Sequence, residues 1–146
     1  MTDALVFIDT ETTGLDPRIH QPYEVSWWRE GKEAPSALWL PHTLDLADPK
    51  ALAIGGYWER GGEPLSTDSD WERRILVREL RGATLVNVSE GAMWIFGWDR
   101  PRGLASTAEA CRAEGYDIPE PDHTAEGDVR TTRAVYHALR DVRSRM

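Results

Sequence analysis

At 146 residues, 40% of them hydrophobic and 29% charged, the chain is long enough for one globular domain, residues 1–146, around a single core. Its formal charge of −8 excludes recognition of nucleic acid through a broad basic surface, although carboxylates gathered around divalent ions are acidic on paper and neutral once loaded. One cysteine excludes an internal disulfide and a cysteine-rich zinc site, and no apolar run reaches the roughly 18 residues of a membrane-spanning helix.

The start, MTDALVFIDT, has an acid at position 3 and no basic segment ahead of a long apolar core, so it does not read as a secretory signal and an intracellular, cytoplasmic protein is expected. Leu5, Val6, Phe7 and Ile8 form the continuous apolar run of a buried strand, and Asp9 and Glu11 follow where that strand should end. Side chains alternate along a strand with a period of two, so both acids share a face and Thr10 points to the other. Two carboxylates about 4 Å apart repel by about 4 kcal/mol at an effective dielectric of about 20. A divalent metal is the natural compensation, and hard oxygen ligands suit magnesium or manganese. The plainer alternative is a surface strand end, because Asp-x-Glu is a common pattern. Gly14 and Asp16-Pro17 supply the turn that leads the chain away.

Tyr23 to Arg29 reads as a second strand, Glu30-Gly31-Lys32 as a turn, and Ser36 to Leu40 as a third strand ended by Pro41. Asp48 caps a short helix that starts at Pro49, continues through Lys50 to Ile54 and stops at Gly55-Gly56. Gly55 to Ser69 holds four glycines, a proline and few apolar residues, and reads as a mobile loop. Asp70 caps a helix from Trp71 to Arg81 whose Arg74, Arg78 and Arg81 read as a solvated face, with phosphate tracking as the alternative. Ala83 to Val88 reads as a buried strand, while Ser89 to Phe96 is ambiguous between helix and strand. Leu104 to Glu114 is a helix with Leu104, Ala108 and Cys111 on its apolar stripe, so Cys111 is expected to pack. Tyr116 to Asp122 contains two prolines and is loop, and a final helix runs from about Val129 to Val142. The seven tryptophans read as core or partner surface in preference to base-stacking platforms.

Two segments carry more than local structure. FIDTETTGLDP, Phe7 to Pro17, resembles the first motif of the DEDD-type 3′-to-5′ exonucleases, the DnaQ-like group within the ribonuclease H-like fold. HTAEGD, His123 to Asp128, resembles the H-x-A-x-x-D third motif of the DEDDh subgroup, and the VRTTRAVYHAL after it is similar to the helix next to that motif in the family. The resemblance implies an α/β, ribonuclease H-like mixed central sheet flanked by helices, with its first three strands in an antiparallel meander. It further implies two Mg²⁺ or Mn²⁺ ions, with Asp9, Glu11 and Asp128 holding the one that activates water and Asp9 bridging to the second, and His123 as the general base, histidine being the side chain that exchanges a proton near neutral pH. Two ions about 3.5–4 Å apart hydrolyse phosphodiesters by making a nucleophile from water and spreading the charge on the phosphate. The implied partner is a single-stranded nucleic-acid 3′ end, with no membrane. His20, His42 and His137 lack such a context and read as structural or solvent-facing.

The middle of the chain departs from the family, which carries something like H-N-x-x-F-D after its fourth strand. Here ATLV runs into Asn87-Val88-Ser89-Glu90-Gly91, with Glu90 where Phe is expected and Gly91 where Asp is expected. In a second alignment WIFGWDRPRGLASTAEACRAEG resembles the family's segment well downstream of the middle motif, so that a block of about twenty to thirty residues is absent and the fold is truncated in the middle. Glu90 is then the nearby acid that would substitute as a fourth metal ligand. Two functions are compatible with this pattern: a two-metal 3′-to-5′ exonuclease, or a weak or inactive exonuclease-fold module that binds nucleic acid or a protein partner. Intact DTE and HTAEGD favour the first; the absent Asp and the acidic charge favour the second.

Overall fold

The computed structural model describes residues 4–62, 81, 84 and 86–146. The helix expected over Trp71 to Arg81, with Arg74 and Arg78 on its face, lies outside them but for its last residue. Three strands, β1 (Val6–Thr12), β2 (Pro22–Arg29) and β3 (Ser36–Trp39), form an antiparallel sheet in the order β1-β2-β3. Four helices complete the described chain, α1 (Pro49–Ile54), α2 (Val88–Phe96), α3 (Leu104–Ala113) and α4 (Ala125–Arg145), giving an α/β protein with an open sheet flanked by helices.

β1 does not stop at the acids. It continues through them to Thr12, because Asp9 pairs with Ser26 and Glu11 with Glu24 on β2, so the acids stand within the ladder. The register then slips between Glu11 and Thr12, which pairs with Pro22 and leaves Tyr23 as an extra residue. That bulge re-aims the Tyr23 ring onto Trp39, whose strand partner is Glu24, and onto Tyr57.

Helix α4 covers the face of the sheet that carries Phe7 and Glu24. Phe7 meets Tyr136 edge-on at 5.4 Å between ring centres, and the Ala125 N–H donates to Glu24. At the far end Trp28 lies under the guanidinium groups of Arg130 and Arg133, and Arg133 pairs with Glu30. The opposite side of α4 packs on α2 and α3 around Ala92, Ala108, Cys111, Ile118, Val135, Ala138 and Leu139. Apolar on both sides, α4 is the layer shared by sheet and helices, and Cys111 packs there as expected. Removing the Phe7 ring (Phe7→Ala) is expected to cost about 3–5 kcal/mol, read as a lowered urea midpoint at unchanged slope.

Caps explain where the helices begin. Asp48 accepts from the Lys50 N–H ahead of Pro49, and Thr124 accepts from the Gly127 N–H at the start of α4. Asn87 accepts from the Ser89 N–H, which turns the ambiguous Ser89–Phe96 segment into helix α2. The strand expected over Ala83 to Val88 is not found among the described residues there: Thr84, Val86 and Asn87 are in no strand, Val86 is exposed, and Val88 already belongs to α2. An N-cap two residues before a run of small and apolar residues outweighs the strand preference of the valines. Gly55 to Gly62, the described part of the expected loop, is also packed rather than bare, since Tyr57 is fully buried and shares a 2.6 Å hydrogen bond with His42. Of the tryptophans, Trp27, Trp28, Trp39 and Trp98 are half-buried, while Trp58 and Trp94 are exposed. No helix among the described residues is long and apolar enough to cross a membrane.

Candidate metal centre

Asp9, Glu11 and Asp128 each offer an oxygen, and these oxygens lie within 4.8 Å of one another. Strand alternation puts the first two on one face of β1; Thr10 between them is exposed, as the period of two requires. The third arrives from the first turn of α4, where a carboxylate also complements the helix dipole. Its Oδ1 is held from behind, accepting the N–H groups of Asp122 at 3.1 Å and His123 at 3.3 Å.

Two glycines of the sequence motifs have a steric reason. A Cβ on Gly14 would sit 2.3 Å from the His20 ring, whose Nδ1 accepts the Asp16 N–H and closes the turn after β1. A Cβ on Gly127 would sit 2.1 Å from Asp122 Oδ1, the atom that receives the Thr124 N–H and hydroxyl. His123 itself adopts φ of 60°, a left-handed conformation that costs energy outside glycine and that aims its N–H at Asp128.

The electrostatics are those of crowded carboxylates that a cation would relieve. Burial, and then the Asp128 charge, raise Asp9 from 3.8 to about 7, against a hydrogen bond from Glu11 that lowers it. Burial, then Asp9 and Asp128, raise Glu11 from 4.5 to about 8, with Arg60 the opposing influence. Asp128 is also raised, chiefly by burial. Asp9 Oδ2 is buried and has no hydrogen-bond partner. Three converging hard oxygens, mutual repulsion and an orphaned carboxylate oxygen fit a divalent ion of the magnesium or manganese type.

The remaining candidates fall differently. His123 is exposed at the mouth of the same loop, five residues before Asp128 in sequence. Glu90 is not in the carboxylate cluster: it lies exposed in the first turn of α2, a helix that packs on α3 and α4. Glu90→Ala is therefore expected to leave Mn²⁺ affinity within about twofold of wild type by calorimetry, as for other surface changes away from a site. His20 and His42 are structural, and His137 lies against Phe7 and within 3.3 Å of Glu30.

Sequence reasoning missed Glu24 and Arg60. Glu24, 3% exposed, faces Glu11 across the ladder and accepts the Ala125 N–H at 2.9 Å. Arg60 pairs with Glu24, donates to the Gly55 carbonyl and lies over Trp39. Both line a cavity of about 310 Å³ beside the cluster, together with Trp39, Thr124 and Glu126. The signal for Glu24 was present: a carboxylate in the middle of YEVSWW has no place in a buried strand without a cation or donor. Scans of the chain against protein-family models and against curated proteins find no match.

Proposed function

We propose that the chain is a metal-dependent 3′-to-5′ exonuclease of the DEDDh type on a truncated ribonuclease H-like fold. The observation that supports it most is the convergence of Asp9, Glu11 and Asp128, drawn from opposite ends of the chain onto one face, with a buried Asp9 oxygen left without a partner. In this reading those three carboxylates hold the ion, which when bound polarises a phosphate oxygen and acidifies water. The backbone amides of Asp122 and His123 fix Asp128, and His123, exposed beside them, takes the proton from the attacking water. The substrate is the 3′ end of a single-stranded nucleic acid.

The placement of Glu90 outside the cluster favours a second reading, a module of the same fold that binds an ion and a nucleic acid without turnover. One experiment separates the two. Single-stranded DNA and RNA oligonucleotides carrying a 3′ label, and duplicates carrying a 5′ label, are incubated with Mg²⁺ or Mn²⁺. The nuclease reading expects labelled mononucleotide from the 3′-labelled strands and a descending ladder from the others. Release no greater than that of Asp9→Asn, with Mn²⁺ and the oligonucleotide still bound by wild type, would establish the second reading instead.

A further inference from the structure

A metal site built from two elements works only if the elements are held in register. β1 supplies Asp9 and Glu11, α4 supplies Asp128, and α4 reaches the sheet across an interface of side chains that could slide by a fraction of a turn. Among the described residues, one side chain links the strand ladder directly to the backbone of the first turn of α4. Glu24 sits opposite Glu11 in the β1–β2 register, and its Oε1 accepts the Ala125 N–H at 2.9 Å. Ala125 and Asp128 are three residues apart, hence on the same side of the helix, one turn above the other. The N–H that Glu24 receives is one of those that an α-helix leaves unsatisfied at its start.

A buried carboxylate opposite another carboxylate would be costly alone. Arg60 removes that cost. Its guanidinium pairs with Glu24, while the Gly55 carbonyl at 3.1 Å and the Trp39 ring at 5.2 Å fix it in place. The chain therefore spends a buried carboxylate and a half-buried guanidinium on one backbone amide, at the point where Asp128 enters.

We infer that Glu24 is a positioning residue for the metal centre, fixing Asp128 relative to Asp9 and Glu11 through the Ala125 amide, with Arg60 as its counter-charge. This rests on the metal-site reading of the carboxylate cluster. Glu24 is not one of the clustered carboxylates; it acts through the helix start, as the outer partners of metal ligands do, whose loss typically weakens metal affinity by about 10–100-fold.

The test compares wild type with Glu24→Gln, which keeps the accepting oxygen at the same reach, and Glu24→Asp, which keeps the charge but draws it back by one methylene. Two quantities are read on each folded protein: hydrogen-exchange protection of the Ala125 amide without metal, and Mn²⁺ affinity by electron paramagnetic resonance. Glu24→Gln is expected to retain Ala125 protection and to bind Mn²⁺ within about threefold of wild type, while Glu24→Asp loses the protection and binds at least about tenfold more weakly. Wild-type affinity in Glu24→Asp after loss of Ala125 protection overturns the inference, as does loss of affinity in Glu24→Gln with protection retained. Should Glu24→Asp not fold, Arg60→Ala replaces it, with the same pairing of lost protection and lost affinity expected. Absence of Mn²⁺ binding in wild type above the Asp9→Ala background instead overturns the metal-site reading, and Ala125 protection then shows that the contact itself exists.

Discussion

Asp9→Asn is expected to abolish nucleotide release and, in the same protein, to raise the melting temperature of the metal-free form at pH 8. The two effects have one cause. Asp9 is half-buried, stands against Asp128 and Glu11, and has one buried oxygen without a partner, so its charge is a liability in the metal-free protein. Asparagine keeps the shape and one accepting oxygen but removes the charge, which relieves about 2 kcal/mol of repulsion and desolvation. In the nuclease reading the same change removes a central ligand, and activity should fall by at least about a thousandfold, because a bound ion would supply both the acidified water and the charge on which phosphodiester hydrolysis depends. Differential scanning calorimetry in EDTA and the 3′-label assay in Mn²⁺ read the two halves. A variant that melts below wild type, or one that still releases nucleotide at the wild-type rate, contradicts the assignment of Asp9.

The second large effect is a dependence of stability on pH whose direction the ion reverses. In the folded protein Asp9 is raised to about 7 and Glu11 to about 8, from unfolded values of 3.8 and 4.5. The folded state therefore holds protons that the unfolded chain has already released across the window between those values. Stability must then fall as pH rises through that window, being greatest below the unfolded values and levelling off above about 8. We expect a loss of roughly 3 kcal/mol, or about 10 °C in melting temperature, between pH 5 and pH 8.5 in EDTA. In the metal-site reading, saturating Mn²⁺ should bind the deprotonated carboxylates and flatten or invert the slope. A melting temperature that is level across this range in EDTA would show that the three carboxyls do not crowd one another in solution.

The sequence showed the ends of the site better than its middle. Asp9 and Glu11 were legible because a period of two forces them to one face, and Asp128 because the HTAEGD resemblance placed it at a helix start. Asp48-Pro49 and Gly55 marked α1 through capping chemistry alone. What stayed hidden depended on register. Glu24 becomes a neighbour of Glu11 only once the connection between Thr12 and Pro22 and the slip at Tyr23 fix the β1–β2 pairing, and neither is readable from composition. Arg60 was hidden for another reason: it comes after a run of glycines and reads as loop, yet Tyr57 anchors that loop against Tyr23 and carries the guanidinium to the cavity. Glu90 failed in the opposite way, since proximity in sequence to the middle motif said nothing about which way α2 would face.

Helix α4 has the sheet on one side and α2 with α3 on the other, and the carboxylate cluster straddles only the first of these seams. Such a layout predicts that local opening, short of global unfolding, divides along the first seam. Without an ion, the repulsion between β1 and the start of α4 weakens one seam and leaves the other untouched. Amides of β1 and β2 should then exchange through openings that spare the helical unit, and ion binding should bring the two exchange rates together. In the metal-site reading, the ion would be the rivet that makes the fold open as one body.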